Sequence, residues 1–240
     1  MKTFSNTKLN EKQIYQLLTT GKVTRGAEGV ICKGANPYTL YKIFVNTNTP
    51  VAMGENKEKK ILELYKKQIQ YSIKPIGTVS FNDVIIGYEM IDEYSFDNYQ
   101  LYQLDKQELI YFLKETKKIL EYYNANNIVY GDIDPKNILF NKDTGEIKFC
   151  DMDNIQINQY KIDKLPYTLN YYCEARGIDD GVHPYAHNQM SLNAFDCDCF
   201  CSSKKELKKT FSKEGLKTIK SMRNPLNFKN DYLITRIKKI

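Results

Sequence analysis

The run Val129-Tyr130-Gly131-Asp132-Ile133-Asp134-Pro135-Lys136-Asn137-Ile138-Leu139 constrains this chain more than any other feature. A carboxylate, a proline three residues on and an asparagine five residues on make a rigid loop whose polar ends can face one cavity. Asp151 follows fourteen residues beyond Asn137, after an expected short hairpin. An Asn and an Asp converging on one point, here Asn137 and Asp151, are hard oxygen ligands suited to magnesium, with phosphate oxygens completing the shell. Asp132 is then left to accept a proton from, or to orient, an attacking hydroxyl.

The segments around this loop alternate in character. Asn10 ahead of Glu11 to Leu18, with Gly21 beyond, predicts a short capped helix. The stretches 22–24, 29–33 and 39–45 read as strands, with turns at Gly26 and at Gly34-Ala35-Asn36-Pro37. A charged helix is expected over 55–70, with Ile61, Leu62 and Tyr65 along one side, and strands at 76–80 and 84–90 complete a small sheet. Asp105-Lys106-Gln107-Glu108 opens a second long helix as a capping-box variant. Its core face is expected at Leu109, Phe112, Leu113, Thr116, Ile119, Leu120 and Tyr123, and its end near Asn124 to Asn127. Short strands at 128–130 and 146–150 flank the loop. The order predicts an α+β, bilobal fold: a small antiparallel sheet with one helix over residues 1–92, then a mainly helical, reduced lobe over 93–240. The join falls near Ile91 to Asn98, with a crevice between the lobes.

From these residues the chain resembles the protein-kinase-like superfamily. Asp132 to Asn137 is similar to that family's catalytic loop, H-R-D-L-K-P-x-N, and Asp151-Met152-Asp153 stands at its D-F-G magnesium motif. The resemblance gives Asp132 the catalytic-base role and Asn137 and Asp151 the magnesium. Thr24-Arg25-Gly26-Ala27-Glu28-Gly29-Val30-Ile31 resembles the glycine-rich phosphate loop, with Thr24 in place of its first glycine. Thirteen residues after Gly29, Lys42 in Leu40-Tyr41-Lys42-Ile43-Phe44 looks like the lysine that neutralises nucleotide phosphates. Glu58 fits best as its acidic partner, with Glu63 as the alternative, and Met90 to Tyr94 looks like the hinge that holds adenine. The implied activity is transfer of the ATP γ-phosphate to a hydroxyl, a protein Ser or Thr or a small molecule.

The pattern also departs from the family. Tyr130 and Gly131 replace His and Arg, which removes the usual partner of a phosphorylated activation loop. Asp134 replaces the Lys that commonly contacts the transferring phosphate, exchanging a stabilising positive charge for a negative one. Small-molecule kinases of the superfamily lack that lysine too, and a pseudokinase acting as a nucleotide-binding regulatory module is the reading from a different class. Lys136 lies nearby and reads as a solvated lysine. No A-P-E segment is present, Leu165-Pro166-Tyr167-Thr168 being a loose counterpart. Tyr185 to Leu192 is expected as a buried helix under the catalytic loop, with Asn188 at the family's acidic position and His187 packed.

Composition narrows the class further. The formal net charge of +6 comes wholly from the segment from Lys204 onward, where twelve Lys and Arg face three acidic residues. Such a segment suits an anionic surface or nucleic acid, yet it lacks the aromatic-interleaved motif or reading helix of a nucleic-acid binder. The six cysteines include Cys197-Asp198-Cys199-Phe200-Cys201, whose spacing is not that of a zinc knuckle even with His183 or His187 added. They read as reduced thiols. The N-terminus has no apolar stretch behind Lys2, and no run approaches the ~20 apolar residues of a membrane span, so a cytoplasmic location is expected.

Overall fold

The computed structural model describes residues 4–26, 28–98, 104–130 and 137–160. The chain divides into two compact units, Met1–Ser95 and Phe96–Ile240.

The first unit holds strands β1 (Ser5–Leu9), β2 (Lys22–Arg25), β3 (Gly29–Lys33), β4 (Thr39–Asn46), β5 (Thr49–Pro50), β6 (Pro75–Phe81) and β7 (Val84–Ile91), with helices α1 (Glu11–Thr19) and α2 (Glu55–Lys67). The sheet order is β1-β6-β7-β4-β3-β2, with β5 paired to β4. Every pairing is antiparallel except that of β1, which lies parallel to β6 in the register Ser5 to Gly77. The expected antiparallel sheet is therefore present with a parallel edge strand added. Asn82 and Asp83, both at positive φ (49° and 60°), make the tight turn between β6 and β7, a conformation Asn and Asp tolerate well.

Side chains alternate across β4. Tyr41, Ile43 and Val45 join Leu9, Ile14, Val30, Cys32, Val79 and Ile86 in one core, against which Leu17 and Leu18 of α1 pack. Burying each such aliphatic side chain contributes about 1.5–3 kcal/mol. The helix begins where expected: the Asn10 side chain accepts from the Gln13 N–H, and the Gln13 side chain accepts from the Asn10 N–H. Lys42 and Phe44 fall between those core positions of β4.

Among the described residues the second unit holds α3 (Lys106–Ala125), β8 (Ile128–Tyr130), β9 (Ile138–Phe140), β10 (Ile147–Phe149), a 3-10 turn (Met152–Asn154) and β11 (Ile155–Ile157). β9 pairs with β10 and β8 with β11, both antiparallel. Asp105 caps α3: its carboxylate accepts from the Gln107 and Glu108 N–H groups, while Glu108 accepts from the Asp105 N–H. Phe112, Thr116, Ile119, Leu120 and Tyr123 are buried along α3, at the spacing of one helical face. Tyr123, Tyr130 and Phe149 form an aromatic cluster, with the Tyr130 and Phe149 ring centroids 4.7 Å apart. Among the described residues no helix is long and apolar enough to cross a membrane.

Candidate active site

The turn between β2 and β3 is closed by a hydrogen bond in which the Gly26 N–H donates to the Gly29 carbonyl at 2.9 Å. That amide is thus committed within the hairpin. The two glycines stand in unequal surroundings. A Cβ on Gly29 would lie 2.7 Å from the Ile43 carbonyl oxygen, so the β3–β4 contact itself demands glycine there. A Cβ on Gly26 would meet nothing closer than the Gly29 carbonyl oxygen at 3.8 Å, which is ordinary contact. Packing explains Gly29; it does not explain Gly26.

Lys42 sits in β4 between Ile31 of β3 and Tyr88 of β7, and is 7% exposed. Its ammonium lies 5.3 Å from the Phe44 ring centroid and 6.0 Å from that of Tyr88, an arrangement that offsets part of the cost of burying the charge. On α2 the buried residues are Lys60, Ile61 and Leu64, whereas Leu62 and Tyr65 are half-buried. The buried face is thus turned from the expected Ile61–Leu62–Tyr65 side, because a lysine occupies one of its positions. Lys57 continues this face toward the helix N-terminus and forms an ion pair with Glu28 of the glycine turn at 2.5 Å. Glu58 is half-buried in the first turn, its N–H donating to the Gly54 carbonyl at 3.1 Å. Glu63 lies 3.5 Å from Lys66.

Met90 lies inside β7, flanked by Leu40 and Pro75, and is 8% exposed. The chain leaves the sheet only after Ile91, where the Asp92 N–H donates to the Tyr38 carbonyl at 2.9 Å.

In the second unit, the β9–β10 register sets Ile138 opposite Phe149. The pairing runs one residue further, the Cys150 N–H donating to the Asn137 carbonyl at 2.9 Å. Asp151 is therefore the residue that follows the one opposite Asn137, so the hairpin brings these two together in the chain's backbone. Asn137 is buried, and Asp151 is half-buried with left-handed backbone, φ 60° and ψ 44°. Such a conformation costs a non-glycine residue about 1–3 kcal/mol and gathers at functional sites. Tyr130 adds a brace that its sequence position did not announce: fully buried, it donates its hydroxyl hydrogen bond to the Cys150 carbonyl, immediately before Asp151. Met152 and Asp153, next in the chain after Asp151, are buried.

Asp132 lies outside the described residues, as do Gly131, Asp134 and Lys136. The same holds for Leu165–Thr168, Tyr185–Leu192 with His187 and Asn188, His183, Cys173 and Cys197–Cys201, and the basic segment after Lys204. Lys57 and Tyr130 are the residues whose roles sequence reasoning missed. The signal for Lys57 was its i, i+3, i+4, i+7 spacing with Lys60, Ile61 and Leu64.

No family model matches the chain. A mitogen-activated protein kinase homologue from Nicotiana tabacum is 29% identical over 143 residues, covering 54% of this chain and 37% of that protein. Mitogen-activated protein kinase 4 of Oryza sativa subsp. japonica is 27% identical over 153 residues, 58% of this chain and 40% of its own length. Mitogen-activated protein kinase 7 of Arabidopsis thaliana is 27% identical over 151 residues, 57% of this chain and 40% of its own. The chain spans about two fifths of the length of these curated relatives.

Proposed function

We propose, on the premise that this chain is a divergent member of the protein-kinase-like superfamily, that it transfers the γ-phosphate of ATP to a hydroxyl, a Ser or Thr of a protein. The observation that carries this reading is Lys42, a lysine buried mid-strand and one strand away from a glycine turn. An ammonium at that depth, one strand from the glycine turn, is a point charge of the kind that binds phosphate, and a nucleotide polyphosphate supplies such groups. In this reading Gly26 and Gly29 border the phosphates, Glu58 orients Lys42, and the segment from Met90 to Tyr94 meets adenine. Asp132 accepts the proton of the attacking hydroxyl. Asn137 and Asp151, the residue after the Cys150 that hydrogen-bonds to Asn137, offer an amide and a carboxylate oxygen, a donor set that fits magnesium. The ion, when bound, neutralises charge on the phosphates. The location that suits this activity is the cytoplasm.

A second reading rests on Asp134, whose negative charge stands where the family has a phosphate-contacting lysine. It makes the chain a nucleotide-binding regulatory module, or a kinase for a small-molecule hydroxyl. Purified wild type and Asp132→Asn, incubated with γ-labelled ATP and magnesium, separate these readings. Protein labelling by wild type, lost in Asp132→Asn while ATP affinity stays within about twofold, supports the kinase. ATP bound without labelling or turnover supports the regulatory module, or a kinase lacking its small substrate. Full turnover by Asp132→Asn removes Asp132 from the chemistry.

A further inference from the structure

Glu28 is a carboxylate placed inside the very turn that the nucleotide reading assigns to phosphate. It stands between Gly26 and Gly29, and it is bound to Lys57 of α2 at 2.5 Å. The two partners are unlike: the Glu28 side chain is 57% exposed, that of Lys57 only 15%. The Lys57 ammonium lies 4.7 Å from the centroid of the Phe44 ring, the same ring that Lys42 approaches at 5.3 Å. The two ammonium groups are therefore at most about 10 Å apart. Phe44 is also the register partner of Gly29, so both cations lie next to the strand that leaves the glycine turn.

We propose that Lys57 is a second phosphate-binding cation, screened by Glu28 in the free chain and transferred from that carboxylate to the nucleotide polyphosphate on binding. This rests on the nucleotide reading above and deepens it. One ammonium covers only part of the charge on a nucleoside triphosphate, and Lys57 supplies another from the helix rather than from the sheet. The exchange replaces one ion pair by another, so no charge is left half-buried and uncompensated at either stage. Glu28, being largely exposed, turns to water at little cost when displaced. An ordinary tether between turn and helix would need no such asymmetry of exposure.

Binding of ATP and of adenosine to the full chain, by titration calorimetry with magnesium, tests the exchange on Lys57→Gln, Glu28→Gln and the double variant. Lys57→Gln is expected to weaken ATP on the order of tenfold, the loss of one charge-assisted contact to phosphate, and to leave adenosine unchanged. Glu28→Gln, an exposed change that should not disturb folding, is expected to strengthen ATP by about threefold. That gain should vanish in the double variant. ATP held equally well by wild type and Lys57→Gln overturns the inference. So does a Glu28→Gln variant that gains nothing, or a gain that persists without Lys57, which would be direct repulsion by Glu28. Wild type that binds neither ATP nor adenosine removes the nucleotide reading itself, and the inference with it.

Discussion

A methyl group added at Gly29 would lie 2.7 Å from the Ile43 carbonyl oxygen, whereas one at Gly26 would meet its nearest neighbour at 3.8 Å. The two alanine substitutions should thus fail differently. Gly29→Ala forces the β3–β4 pair apart and should lower stability by about 1–3 kcal/mol, read as a shifted urea midpoint. Gly26→Ala should keep that midpoint and weaken ATP binding by crowding the phosphates. A Gly26→Ala protein that binds ATP normally would take the turn out of the nucleotide site. Tyr130 allows a comparable separation. Tyr130→Phe removes one hydroxyl hydrogen bond to the Cys150 carbonyl, worth about 1 kcal/mol of stability, and keeps the aromatic cluster. If that bond positions Asp151, magnesium-dependent ATP binding should fall further than magnesium-free binding does. Equal losses would reduce Tyr130 to a packing residue.

Among the elements, those with local signals were legible and those defined by a partner were not. α1 and α3 begin at Asn10 and Asp105 because capping boxes are written in neighbouring residues. Asp105→Ala should cost about 1 kcal/mol, as a lower unfolding midpoint with an unchanged slope; no change would mean that α3 is held by packing alone. β1 had no such signal. Ser5-Asn6-Thr7-Lys8-Leu9 has hardly an apolar residue to alternate, and it is a strand because the edge of β6 lies alongside it. There the Ser5 and Thr7 hydroxyls donate to the Glu89 carboxylate at 3.2 and 3.4 Å. The buried face of α2 departs from the pattern of its apolar residues for a related reason. Lys60 is fully buried, and a rule that places lysine in solvent rotates the helix away from its true contact. Met90 shows the same limit at a strand end: the hydrophobic run did not say where β7 stops, and cross-strand pairing with Leu40 and Pro75 carries it to Ile91. For the candidate site, the types and order of residues were legible. The hairpin register that puts Cys150 opposite Asn137, and so Asp151 next to it, required the fold.

At the scale of the whole chain, each unit contains a buried acid that water would otherwise ionise at alkaline pH. Burial pushes the Cys32 thiol of the first unit from 9.0 up to about 11, although Lys22 pulls the other way. Burial also holds the Tyr123 phenol of the second unit well above its ordinary 10.0, with Tyr122 adding to the shift. In both cases the folded chain keeps its proton when the unfolded chain has lost it. The unfolded state then binds fewer protons, and stability falls as pH rises. The stability these groups confer is complete below about pH 9 and declines above it, Cys32 first and Tyr123 at higher pH. Urea midpoints measured from pH 7 to 11 should therefore fall beyond pH 9. Cys32→Ala should flatten the early part of that fall and Tyr123→Phe the later part, each from a lower starting stability because a buried group has been trimmed. The same burial should leave Cys32 unreactive toward iodoacetamide in the folded chain, because the thiolate is the nucleophile. Rapid native alkylation of Cys32, or a pH profile that neither substitution alters, would show that these groups ionise in the fold as freely as in water.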